Sequence, residues 1–306
     1  MLELRLHPTF IDLEGMDKFL WRELKAEFGF FVSGAVFSKA YESGRWDGFI
    51  HVIQEGEYGP TSAILSTGFL ERLKILLERL NEPYEIVRDF RARYEWKELC
   101  PRHPDLVLRY FQEDALERIL RYRRGIVVAP PRAGKTVIAI ETARRTSLLP
   151  FIYMVWGVDV ADQACKSFKR FLPSAKVGII ADGVADIEDK DIIVATVQSL
   201  AWAFGLNFRN GERPKSMKRQ EKRVDASRYD DIREIIRSAR AAIWDEAHHV
   251  GGDVARQLAQ EFESAEITLG LTGTPWREDE KSILLEEVCG PVLYKLGYEE
   301  AVEAGC

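Results

Sequence analysis

Long apolar runs are missing from this sequence. No stretch of about 18 apolar residues occurs in its 306 positions, which excludes a membrane-spanning helix from the expectations. Met1-Leu2-Glu3-Leu4-Arg5 lacks the basic-then-apolar layout of a secretory signal, so a cytoplasmic location is expected. Cysteine is scarce. Cys100, Cys165, Cys289 and Cys306 are scattered and form no C-x-x-C pair, which argues against a zinc site or disulfide framework and for reduced thiols. Positive charge is not in excess either, since the net charge is −6. That weighs against a nucleic-acid partner only weakly, because the distribution of charge matters more than its sum.

At roughly 100–200 residues per domain, the length fits two domains. Residues 1–95 read as a small mixed α/β (α+β) unit. Leu2, Leu4 and Leu6 alternate with Glu3 and Arg5, the period of a half-buried strand. Phe19, Leu20, Leu24 and Phe28 recur at helical spacing. Phe30 to Phe37 reads as a strand, or a hairpin broken at Gly34, and Phe49 to Ile53 as a strand after the turn-like Arg45-Trp46-Asp47-Gly48. Phe69 to Leu80 carries an amphipathic leucine face. Residues 96–108 read as a linker. From 109 to 306 apolar strands alternate with helices, which predicts an α/β domain with a doubly wound, mostly parallel sheet.

Two segments of this second region carry chemistry. Ile126 to Thr136 reads as a strand, a loop and a helix start, with the loop Ala129-Pro130-Pro131-Arg132-Ala133-Gly134-Lys135-Thr136 ending in G-K-T. A loop entering a helix N-terminus offers backbone N–H groups to anionic phosphate. Pro131, Arg132, Ala133 and Gly134 would form the cradle, Lys135 would reach the β- and γ-phosphates, and Thr136 would ligate Mg²⁺. Ala241 to His248 is an apolar strand ending in Asp245-Glu246. Asp245 suits Mg²⁺ coordination and Glu246 suits a general base for the attacking water. The pair lies on another strand of the same expected sheet, so Lys135, Asp245 and Glu246 form the catalytic core of an expected nucleoside-triphosphatase site that uses Mg²⁺.

Asp245-Glu246-Ala247-His248 resembles the DEAH form of helicase motif II, and Ala129 to Thr136 resembles motif I. Leu271-Thr272-Gly273-Thr274-Pro275 is similar to motif III. Arg109-Tyr110-Phe111-Gln112 is similar to the R-x-x-Q element, and Ile193 to Ser199 to the strand-end motif of superfamily 2 helicases. The resemblance implies a RecA-like domain in which Arg109 and Gln112 read adenine. It also implies that Thr272, Thr274 and His248 couple hydrolysis to nucleic acid, while Thr196, Gln198 and Gln163 approach the nucleic-acid strand. Trp156-Gly157 stand where that family usually has Pro-Thr; Trp156 is expected either packed or stacked on a base. The N-terminal unit with Arg45-Trp46-Asp47-Gly48 resembles that of phage UvsW-type helicases and, more remotely, XPB-like helicases. This implies double-stranded or branched DNA as substrate, in recombination, repair or replication, and a nucleoid or host-cytoplasm location. Trp46 is read as a core residue first and a DNA contact second.

One insertion is basic. Arg209 to Arg223 holds seven positive charges, including Lys218, Arg219 and Lys222, against Glu212 and Glu221. A solvated loop and a nucleic-acid contact both fit such a run. About thirty residues follow motif III, too few for the second RecA-like domain and arginine finger that the family uses. The chain is therefore expected to be the N-terminal portion of a helicase or translocase, completed in cis or by a partner. Two other readings stay open: a nucleotide-gated DNA-structure-binding module, and the translocating part of a restriction enzyme, although no nuclease constellation is recognisable.

Overall fold

The computed structural model describes residues 1–32, 34–91, 93–207, 222–250, 252–273 and 282–304. In chain order the N-terminal part carries β1 (Leu2–Leu6), β2 (Phe10–Glu14), α1 (Lys18–Glu27), β3 (Gly29–Phe31), α2 (Lys39–Glu42), β4 (Phe49–His51), β5 (Gln54–Gly56), β6 (Gly59–Ser66), α3 (Leu70–Leu80) and β7 (Tyr84–Asp89). Five of the strands form one sheet in the order β5-β6-β2-β1-β7, and β3 pairs with β4 separately. Leu2, Leu4 and Leu6 are fully buried, as their alternation predicts. Each such side chain contributes about 1.5–3 kcal/mol. Asp17 caps α1 by accepting the Leu20 N–H at 2.7 Å, and the helix buries Leu20 and Leu24. Phe19, expected on that face, points to solvent instead.

Of the two readings of Phe30–Phe37, the unbroken strand is corrected and the break at Gly34 is present, but the short β3 is followed by a 3-10 turn over Ala35–Phe37 and not by a second strand. Gly34 sits at φ 82°, a left-handed conformation that ends extended structure. Ser38 then caps α2 through the Tyr41 N–H.

The second part carries α4 (Tyr110–Tyr122), β8 (Arg124–Val128), α5 (Lys135–Thr146), β9 (Phe151–Val155), α6 (Val158–Phe171), β10 (Val177–Ala181), β11 (Val184–Asp186), β12 (Ile192–Thr196), α7 (Val197–Ala203), α8 (Tyr229–Ser238), β13 (Ala241–Asp245), α9 (Asp253–Gln260), β14 (Ile267–Thr272), α10 (Ser282–Cys289), β15 (Val292–Lys295) and α11 (Tyr298–Glu303). The sheet order is β11-β10-β12-β9-β13-β14-β8-β15. Every neighbouring pair is parallel except β10 with β11. Helices cover both faces. Val127, Tyr153 and Ile243 pack with α4, α5 and α6, while Ile126, Met154 and Trp244 pack with α7, α8 and α9 on the other side. Strands buried on both faces explain the near-continuous apolar runs in the sequence.

The stretch around 96–108 is pinned rather than loose. Leu106 is buried and Tyr94, Trp96, Leu99 and Cys100 pack on the sheet core. Glu266 accepts from the Tyr94 N–H at 2.6 Å and from Trp96 Nε1 at 3.1 Å. The two parts also share a core, because Ile283 and Leu284 of α10 pack among the N-terminal leucines. Ser66 Oγ donates to the Glu287 carbonyl at 2.5 Å, and Arg72 Nε lies 3.3 Å from Glu286. Gly68 has no room for a side chain here, since a Cβ would run into the carbonyl oxygens of Glu286 and Glu287.

Candidate nucleotide site

The C-terminal edge of a parallel sheet gathers strand ends and helix starts, which makes it the usual place for a phosphate site in such folds. Here β8 feeds the loop Ala129–Gly134, and α5 begins at Lys135. Gly134 precedes the helix at φ 79°, and Arg132 is also left-handed at φ 67°. A Cβ on Gly134 would press against Gln112 Nε2. Glycine is thus required at that position for backbone and space together.

Gln112 ties the loop to α4. It is buried, its Nε2 donates to the Ala133 carbonyl at 2.9 Å, and its Oε1 accepts the Arg109 N–H at 2.9 Å. Arg109 stands at the N-cap of α4, with its guanidinium over the Phe111 ring. Pro131 and Arg132 are exposed and Ala133 is buried. The first loop residue is anchored as well, by the Ala129 N–H donating to the Thr272 carbonyl at 2.9 Å.

β13 brings the carboxylates to the same edge. Asp245 is 9% exposed, while Glu246 is partly open and sits at φ 47°. A left-handed non-glycine costs roughly 1–3 kcal/mol and concentrates at functional positions. Glu246 Oε1 lies 3.4 Å from Lys135 Nζ. Glu246 Oε2 lies 3.4 Å from His248 Nδ1, which in turn meets Thr272 Oγ1 at 3.2 Å. A continuous polar line therefore runs Lys135–Glu246–His248–Thr272. Burial pushes the Asp245 carboxyl above its ordinary value, Glu246 beside it adds to this, and the Tyr153 hydroxyl and Lys135 pull the other way.

Tyr153 was not singled out in the sequence. It lies on β9 with its side chain fully buried, and its hydroxyl faces Asp245 and Thr136 without completing a hydrogen bond of ordinary geometry. Its only sequence signal is a hydroxyl inside the otherwise apolar Phe151–Val155. Trp156 is packed, 8% exposed, with its ring 5.4 Å from that of His249.

Among the described residues, those read as nucleic-acid contacts sit on separate elements. Thr196 is fully buried and caps α7 by accepting the Ser199 N–H at 3.2 Å; Gln198 is also buried. Gln163 lies exposed on α6. Trp46 joins no core cluster; it is half-buried and its Nε1 donates to the Phe49 carbonyl at 2.7 Å, stapling the Arg45–Gly48 turn. Lys222 is exposed and its N–H donates to Asp182 at 3.0 Å. Lys218, Arg219 and Thr274 lie outside the described residues.

Residues 105–277 match the protein family described as the type III restriction enzyme res subunit. The chain belongs to this family. Among curated relatives, it is 28% identical over 193 residues to the DNA 3'-5' translocase XPB2 of Sulfurisphaera tokodaii, covering 63% of this chain and 36% of the relative. It is 27% identical over 210 residues to the XPB2 helicase/translocase subunit of the general transcription and DNA repair factor IIH of Arabidopsis thaliana, covering 64% and 24%. The chain thus spans about a third or less of these relatives' length. Its fold is similar to that of the UvsW helicase of bacteriophage T4, with a TM-score of 0.68, 16% identity, and coverage of 96% of this chain and 99% of that one. The likeness extends over the N-terminal part as well as the eight-stranded sheet.

Proposed function

We propose that this chain is the ATP-binding portion of a DNA helicase or translocase acting on double-stranded or branched DNA. The observation that carries the proposal is the convergence of Lys135, Asp245, Glu246, His248 and Thr272 at one sheet edge. The relatives named as DNA translocases support the substrate class.

The residues fit a magnesium–nucleotide. Among the described residues no cluster of three or more His, Cys, Asp or Glu could hold a metal unaided. This suits Mg²⁺, which is usually held by one or two protein oxygens plus substrate phosphates. Thr136 and Asp245 are the residues assigned to it. When bound, Mg²⁺ would neutralise charge on the phosphate oxygens. The Lys135 ammonium would bind the same oxygens, beside the N–H groups of Gly134 and Lys135 at the start of α5, while the Ala133 N–H is kept by the Pro130 carbonyl at 3.2 Å. Glu246 accepts the proton of the attacking water, and its contact with His248 relays its state to Thr272. Gln112 and Arg109 are assigned to the adenine side of the loop. Thr274 belongs with Thr272 by motif; Thr196, Gln198, Gln163, Trp46, Lys218, Arg219 and Lys222 remain candidates for DNA contact.

Division into residues 1–95, 96–108 and 109–306 accompanies this reading. A second RecA-like domain, in cis or in trans, would supply the arginine that completes the cleft, an addition worth about 10³–10⁵ in analogous phosphoryl transfers. The test is ATP turnover by these 306 residues, with and without duplex DNA and with and without a supplied second domain. Fast duplex-stimulated turnover by the chain alone would defeat the half-site reading. The family's description keeps a restriction-enzyme translocase as a second reading; co-purification of a nuclease subunit would favour it.

A further inference from the structure

At the opposite end of the sheet from the nucleotide site, a cavity of about 270 Å³ opens between the two parts of the chain. Its wall is drawn from Pro8, α3 with the turn before it, Arg91 and Arg93, the α4–β8 junction, and the residues entering β14 and β15. Strand β8 spans the distance between the sites, with Arg124 at the cavity end and Val128 leading into the phosphate loop. At about 3.3 Å per residue, roughly 15 Å of strand separates them.

The wall is cationic. Arg91, Arg93, Arg121, Arg123, Arg124 and Lys74 line it against two carboxylates, Glu71 and Glu266. Some of this charge is answered. Arg123 pairs with Glu266 and lies over the Trp96 ring. Arg91 clasps Asp89 at 2.8 and 2.6 Å, and Lys74 meets Glu71 at 2.8 Å. The remainder is not. Arg124 spends its guanidinium on two carbonyl oxygens, those of Val288 at 2.9 Å and Pro8 at 2.8 Å. Arg93 reaches Asp89 only at 3.9 Å, and Arg121 lies over the Tyr122 ring. Neither Arg121 nor Arg124 has a carboxylate partner among the described residues.

The repulsion is felt inside the cluster. Desolvation pulls Arg124 down to about 10, with Arg91 adding to the shift, and Arg123 is lowered by desolvation and by Arg93 and Arg91. Guanidinium groups crowded around one space, with Arg91 disfavouring the charge of both Arg123 and Arg124, are stabilised by an anion between them. Planar forks with paired donors match phosphate oxygens better than they match a single point charge. A water takes about 30 Å³ of liquid, so the space admits several waters or one to two phosphate groups.

We propose that this cavity is a second phosphate-oxyanion site, distinct from the nucleotide site. Its ligand is a phosphate group, supplied either by the backbone of duplex DNA or by free phosphate or pyrophosphate. The DNA source rests on the function proposed above; the anion chemistry does not.

The test uses the whole 306-residue chain without nucleotide. Arg93→Glu with Arg121→Glu reverses two exposed charges that no backbone contact depends on. Lys18→Glu with Arg22→Glu makes the same charge change on α1 as a control. Anisotropy of a labelled duplex is followed from about 50 mM to about 200 mM salt, where each lost phosphate contact lowers the log–log slope by ~0.9. The expected result is an affinity loss of about tenfold and a slope smaller by about 2 in the cavity variant, with the control near wild type. A second arm measures melting with pyrophosphate in a Lys135→Ala background, which weakens the nucleotide site. A pyrophosphate-induced rise in Tm that disappears with the cavity substitutions supports the site with free phosphate as its source. Unchanged duplex binding together with an unchanged pyrophosphate response would overturn the proposal. The milder Arg93→Gln with Arg121→Gln pair repeats both arms if charge reversal disturbs folding. Wild-type protein that binds no duplex at any salt would sink the DNA reading alone, leaving the pyrophosphate arm to decide the anion site.

Discussion

Lys135 Nζ stands 3.4 Å from Glu246 Oε1, so the ammonium assigned to phosphate and the carboxylate assigned to water hold each other before any substrate arrives. On the proposed function, phosphate oxygens would compete with Glu246 for that ammonium, and binding would free the carboxylate to act as a base. Lys135→Ala should weaken ATP binding about 100-fold, near the upper range for a charged hydrogen bond. Glu246→Gln should bind ATP as tightly as wild type while turnover in the completed enzyme falls about 10²–10⁴-fold. Calorimetry for binding and phosphate release for turnover separate the two. Equal loss of binding in both variants would contradict this division of labour.

Tyr153→Phe removes a buried hydroxyl that completes no ordinary hydrogen bond. Stability without nucleotide should stay within about 1 kcal/mol of wild type, because an unsatisfied buried polar group costs energy rather than supplying it. If the hydroxyl orients Asp245 and Thr136, the variant should need several-fold more Mg²⁺ for half-maximal ATP binding. A magnesium titration at fixed ATP reads this, and an unmoved midpoint would leave Tyr153 as core alone.

Asp245 has a folded-state pKa above its unfolded one. The folded protein holds the extra proton between the two values, so this group's contribution is complete below the unfolded value of about 3.9 and is lost as pH rises through the folded value. Asp245→Asn should therefore melt above wild type at neutral pH without nucleotide, by about 2–4 °C for each kcal/mol relieved. The gap should close toward acid pH. Differential melting of the two proteins across the acid-to-neutral range checks the sign.

Glu141 has no exposed side-chain surface and holds Arg144 at 2.8 Å and Arg145 at 3.1 Å, while Arg144 also donates to the Cys100 carbonyl at 3.2 Å. Glu141→Ala leaves the buried Arg144 with the exposed Glu98 carboxylate, 3.0 Å away, as its remaining acidic partner, a change that costs about 2 kcal/mol. The urea midpoint should fall, and limited proteolysis should cut between 96 and 108 sooner than in wild type. Loss of stability without earlier cutting would mean that other contacts hold the strap.

What could be read from the sequence follows from how locally each feature is encoded. The phosphate loop, the Asp245-Glu246 pair and the central strands are contiguous, so periodicity and spacing carry them. The parallel sheet follows from strands such as Phe151–Val155 that are apolar on both faces. Short β11 and β15 carry too few residues to show a period. Phe30–Phe37 was apolar enough for a strand, but Gly34 turns the chain after Phe31. Gln112 is legible as a motif residue, yet its bond to the Ala133 carbonyl spans 21 positions and depends on how α4 lies beside the loop. Tyr153 and the arginine cavity were hidden for the same reason, since their neighbours come from distant segments.

Ile283 and Leu284 place the start of α10 inside the leucine core of the N-terminal part, only ten positions after Gly273. With Gly68 wedged against the end of the same helix, that part is mounted like a handle on the machinery downstream of β14. It does not hang from residues 96–108 alone. Nicking the backbone there would leave the halves gripping one another through α10 and the leucines around it.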